Sequence, residues 1–74
     1  MNIKDIVTLS DDHNYQVVSK TIYEETTYYY LVDITDISNI KILYENIDRL
    51  TEVEDSELVS LLLPKFFYEI KDLL

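Results

Sequence analysis

A chain of 74 residues with 47% hydrophobic content has room for one small core, since about 60% of the unfolded surface is buried at this size. Fifteen acids against six bases leave a formal charge of -9, which argues against nucleic-acid phosphate as a direct partner. With no cysteine, no glycine and one histidine, the sequence excludes disulfide frameworks, thiolate zinc sites, thiol nucleophiles, Gly-rich phosphate loops and His-rich metal cages.

Residues 1–74 read as a single domain, with strands within 5–53 and a helix over about 55–73. Isoleucine, valine and threonine together number 21, a bias toward residues that suit a pleated, half-buried surface. Asp5 to Leu9 predicts a short strand, stopped by the Ser10-Asp11-Asp12-His13-Asn14 cluster. That cluster must turn without glycine, and Asn14 is the residue expected to take a left-handed backbone. Tyr15 to Tyr23 resumes as a longer strand. Its adjacent Val17 and Val18 call for a bulge or for cover on both faces. Glu24-Glu25-Thr26 is a polar turn into Thr27 to Ile34, where Tyr28, Tyr30, Val32 and Ile34 share one face. Tyr29, Leu31 and Asp33 take the other, expected to be the solvent side.

Thr35 to Asn39 reads as a loop, followed by Ile40 to Glu45 with Ile40, Ile42 and Tyr44 inward. Asn46-Ile47-Asp48 turns the chain into Arg49 to Val53, the last strand. Short connections favour neighbouring strands, so the fold class is α+β: a five-stranded antiparallel meander, twisted or partly rolled in the manner of a small SH3-type barrel. A C-terminal helix covers its open face. Asp55 or Ser56 caps that helix, and Val59, Leu62, Leu63, Phe66, Ile70 and Leu73 recur at helical spacing. Leu58, Leu61, Phe67 and Leu74 widen this face. Pro64 lies too deep for a first-turn proline, which predicts one kinked helix. The core is expected to hold Val7, Leu9, Val17, Tyr30, Val32, Ile42, Leu62, Phe66 and Ile70.

The segments Asn2 to Leu9, Tyr15 to Lys20, Tyr28 to Val32, Ile40-Lys41 and Tyr44-Glu45 carry a pattern-level likeness. In them the chain resembles short acidic proteins of unknown function from low-GC Gram-positive bacteria and their mobile elements. The resemblance implies a small β-rich fold with a terminal helix and a bacterial origin. It brings no assigned chemistry with it.

Asp11-Asp12-His13 is the one place where acids and the histidine adjoin, which suits a weak cation site or a carboxylate-oriented base. The same residues equally make a solvated turn, and that reading is preferred. Glu52, Glu54, Asp55 and Glu57 form a denser acidic patch that a helix start explains by capping and dipole. The seven tyrosines lack the interleaved lysine and arginine of a base-stacking platform and read as strand and interface residues. No catalytic, cofactor-binding or metal-binding residue is assigned, and no cofactor is expected. Tyr29, Leu58, Leu61 and Phe67 are the candidate interaction surface, for a protein partner or a homodimer. The longest aliphatic run is Leu61-Leu62-Leu63, and no signal-peptide core follows Met1, so a cytoplasmic protein without a membrane partner is expected. The expected function is a non-enzymatic protein-interaction module. The alternative is an acidic decoy that imitates nucleic acid and blocks a nucleic-acid-binding protein.

Overall fold

The computed structural model describes residues 1–47 and 49–73, with helix side chains described as far as Ile70. The expected turn role of Asp48 and the expected placement of Leu74 lie outside the described residues, and the Leu73 side chain lies outside them as well. Five strands follow in chain order: β1 (Ile6–Thr8), β2 (Asn14–Tyr23), β3 (Thr26–Asp33), β4 (Asp36–Asn46) and β5 (Arg49–Glu52). The helix α1 spans Ser56–Leu73. Each strand pairs antiparallel with the next, giving the order β1-β2-β3-β4-β5 in a sheet curled into a half-barrel. This is the α+β meander that the alternation predicts.

The segment expected to be a loop, Thr35 to Asn39, belongs mostly to β4. Side chains shorten the turn: Asp33 Oδ1 accepts from both the amide and the hydroxyl of Thr35, at 2.9 and 2.8 Å. Asp36 Oδ1 does the same for Ser38. These carboxylates replace the backbone partners a longer loop would leave unmet. Composition alone still had a point, because between the pairs Val32↔Ile40 and Asp33↔Asp36 the register shifts, and Ile37 to Asn39 bulge out of the ladder.

The Val17-Val18 pair marks a bulge. Val17 pairs with Leu31 and Ser19 with Tyr30, so Val18 is the extra residue. It turns β2 so that Val17 packs on one side of the sheet while Val18 and Ser19 meet the other. Both sides are therefore covered. On the first, Tyr15, Val17, Tyr29, Leu31 and Leu43 form a cluster closed by Met1, Ile3, Val7 and Leu9. On the second, Tyr30, Ile42 and Val53 pack against Leu62 and Phe66 of α1. The expectation that Tyr29, Leu31 and Asp33 face solvent is wrong: all three are buried. The curl of the sheet and the N-terminal segment supply a layer over them that strand periodicity does not encode. Of the expected core, Val17, Tyr30, Ile42, Leu62 and Phe66 are buried, while Val7, Leu9, Val32 and Ile70 are half-buried.

Asp55 caps α1, its Oδ1 accepting from the Glu57 amide at 3.0 Å. The helix runs through Pro64 without interruption, although proline has no N–H to offer the Ser60 carbonyl. Leu62 and Phe66 are fully buried beneath it, and the Ser19 hydroxyl donates to the Phe66 carbonyl at 3.1 Å. That bond fixes the helix over β2.

A chain without glycine must place other residues in the left-handed region. Lys4, Asp12, Glu24, Glu25 and Ile47 all have positive φ. Asp12, rather than the expected Asn14, takes that role between β1 and β2, and Asn14 opens β2. Tyr23 pairs with Thr26, so Glu24 (φ 48°) and Glu25 (φ 65°) form a two-residue hairpin of the type that favours Asn-Gly. Two like charges also sit side by side there. Replacing Glu24-Glu25 by Asn-Gly should stabilise the protein by about 1 kcal/mol and raise Tm by roughly 4–8 °C. Thermal melts of the two proteins check this; an unchanged or lower Tm would count against the turn geometry.

Candidate functional site

Helix periodicity, together with the position of the sheet below it, decides which apolar residues of α1 remain open. α1 packs most closely on β2, which leaves the β4 side of the same sheet face less covered. There, Val59, Leu63 and Phe67 recur every four residues and form one wall of a groove of about 380 Å³. Ile40, Ile42 and Val53 form the opposite wall, and Tyr30 lies between them. Phe67 is 52% exposed, yet its ring meets the Tyr30 ring edge-on at 6.0 Å. Ile40 is 42% exposed.

The four residues expected to form one surface do not. Tyr29 is buried on the opposite face of the sheet, where its hydroxyl donates to Glu45 Oε1 at 2.9 Å. Burial, and then that carboxylate, push its phenol up to about 12. Leu58 is half-buried against the helix-side core. Leu61 and Phe67 are both exposed, but six residues of α-helix separate them by about 120° around the axis. Leu61 therefore lies on the other flank. Sequence periodicity predicted that α1 had surplus apolar surface; it missed Ile40, which belongs to the same opening as Phe67 only through the sheet.

A second constellation lies at the end of the sheet where the β1–β2 and β3–β4 connections meet. Asp33, fully buried, accepts the Nδ1–H of His13 at 2.6 Å and the side-chain amide of Asn39 at 3.1 Å. Asn39 also donates to the Tyr15 hydroxyl, which in turn donates to Asp11 Oδ2 at 2.7 Å. Asp11 Oδ1 accepts the His13 amide at 3.0 Å. The histidine is thus oriented by a carboxylate, but by Asp33 rather than by its neighbours Asp11 and Asp12. The bond from His13, followed by those from Thr35, holds the Asp33 carboxyl far below the usual carboxylate range. The same bond raises His13, and Tyr15 with the His13 amide lowers Asp11. Among the described residues, no buried side-chain nitrogen or oxygen lacks a partner.

The ring of His13 is half-exposed, but among the described residues no serine or threonine hydroxyl is hydrogen-bonded to it. Nor do those residues gather three His, Asp or Glu side chains in a metal-binding arrangement. The network ties two connections together. An acid within the apolar run from Tyr28 to Ile34 was the one signal that could have found it, because a buried carboxylate needs a counter-charge. Among the described residues, no helix is long and apolar enough to cross a membrane. Neither a protein-family model, nor a curated protein, nor a solved structure matches the chain.

The His13–Asp33 pair gives stability a defined pH dependence. Asp33 is depressed in the folded state, so its share is present above about pH 3.8 and is lost as pH falls below that. His13 is raised, so its share is complete below about pH 6.5 and is lost as pH rises through the raised folded value. The pair should therefore contribute fully between these limits and less on either side. In an NMR titration, Asp33→Asn should return the His13 pKa toward its ordinary value. A His13 titration indifferent to that change would break the pairing.

Proposed function

We propose that this protein is a small, non-enzymatic interaction module that binds another protein in the cytoplasm of a bacterium. The observation that carries the reading is the apolar, aromatic groove between α1 and β4, which is open at Phe67 of the helix and Ile40 of the sheet. Interfaces have this form, with an apolar and aromatic centre and charged residues at the rim. The acids support the same reading. Asp11 and Asp12 lie at the β1–β2 connection, Asp36 at the first position of β4, Glu24 and Glu25 at the β2–β3 hairpin, and Glu54, Asp55 and Glu57 at the start of α1. That dispersion suits a solvated surface better than a continuous row of carboxylates spaced like phosphates.

The two readings separate by salt. Captured from a lysate of a low-GC Gram-positive bacterium, a partner of the module should withstand a high-salt wash. A nucleic-acid-binding protein that is lost in high salt would instead support the decoy and overturn the module.

A further inference from the structure

The geometry points to a basic amphipathic helix of a partner protein as the occupant of the groove between α1 and β4. This rests on the reading of the protein as an interaction module and names the face and the partner's chemistry. Five strands at about 4.8 Å spacing span roughly 19 Å, whereas one helix is about 10 Å wide. A single helix cannot cover such a sheet face. α1 takes the β2 side, with the Ser19 hydroxyl bonded to the Phe66 carbonyl, and leaves a narrower strip on its β4 side that is open at Ile40 and Phe67, while Ile42 and Val53 at its floor are already buried. Apolar side chains line both walls of that strip: Val59, Leu63 and Phe67 from α1, and Ile40, Ile42 and Val53 from the sheet. A second helix laid beside α1 would complete the layer and bury Phe67 and Ile40.

Charge decides whose helix it is. Between Arg49 and Lys65 the chain carries Glu52, Glu54, Asp55 and Glu57 and no basic residue. Val53 and Val59, both groove residues, bracket three of these acids, and Glu52 itself lines the groove. All four are exposed. Lys41 neutralises Glu52 at 3.1 Å, while Glu54 and Glu57 have no ion-pair partner among the described residues. A second copy of this chain would bring the same acids and another formal charge of -9 to the contact. A helix with leucine-like anchors at i, i+3 or i+4 and i+7, flanked by lysine or arginine, meets both the apolar walls and the acidic rim.

The test uses the full chain, labelled with nitrogen-15, and two synthetic amphipathic helices of about 18 residues, ~27 Å long. Both carry the same leucine stripe; one has lysines on its flanks, the other glutamates. The lysine peptide should bind saturably, shift the amides of Ile40, Leu63 and Phe67, and lose only part of its affinity at high salt, because the apolar walls hold it after the rim charges are screened. Phe67→Glu and Ile40→Glu should each weaken it on the order of tenfold. Ile22→Glu, on the opposite sheet face and 71% exposed, should leave it unchanged and shows that added charge alone is not the cause. Each variant's amide spectrum reports whether it is folded, and the remaining groove variant decides where one is not. Equal binding of the glutamate peptide would overturn the partner's charge. Shifts confined to Leu61 and Tyr68 would overturn the face while leaving the module reading intact. A dimer mass by light scattering, lost in Phe67→Glu, would make a second copy the occupant and overturn the proposal.

Discussion

Strand β3 has to be covered on both faces, because Tyr29, Leu31 and Asp33 point one way, Tyr30 points the other, and all four are buried. Leaving either set in water would forgo about 1.5–3 kcal/mol for each large apolar side chain. A chain of 74 residues must therefore supply two layers around one strand. α1 is one of them, set by the Leu62 and Phe66 pair. The other comes from the curl of the sheet, with Met1, Ile3, Val7 and Leu9 folded over Tyr15 and Leu31. The bulge at Val18 switches which residues of β2 serve each layer: Tyr15 and Val17 face the first and Ser19 the second, where strict alternation would put all three on one face. Asp33 is the exception within this arrangement. Its burial is tolerated because His13, Thr35 and Asn39 surround its oxygens with donors.

Much of this was legible in the residues. Period-two alternation gave the strands, period-3.6 spacing gave α1, and the Val17-Val18 clash of parity located the irregularity in β2. Asp55 was readable as a cap because its side chain acts only on the next turn. The failures share one physical source. Alternation assigns Tyr28 and Tyr30 to one face and Tyr29 and Leu31 to the other, but both sets are apolar, so parity cannot say which is deeper. That depends on how far the sheet curls and on what the first residues of the chain cover. Likewise, a helical wheel shows that Leu61 and Phe67 lie outside a narrow stripe, yet not where the sheet ends beneath them. The His13–Asp33 contact spans 20 residues and exists only once the register of β2 and β3 is set.

The charge of the chain has a bearing on its exposed apolar residues. Ile37 and Ile47 are more than 80% exposed, at 82% and 88%, and neither lies in the groove. On a neutral protein such residues would invite self-association. Here every copy carries the same excess of carboxylates, whose mutual repulsion opposes such association. Surface ion pairs contribute little to this balance. Lys41–Glu52 is partly exposed and is worth no more than about 1 kcal/mol.

The Ser19–Phe66 bond also separates the molecule in time. Every strand pairs with its sequence neighbour, so the sheet can assemble hairpin by hairpin with short loops to close. The helix cannot join early: its anchoring bond closes a loop of 47 residues, and its docking surface exists only after the bulge has set β2 and β3. Docking of α1 should therefore be the last cooperative step in folding, and its release the first in opening. Native-state amide exchange would resolve this as two units, with α1 opening below the global unfolding free energy and the β2–β3–β4 amides opening only with it.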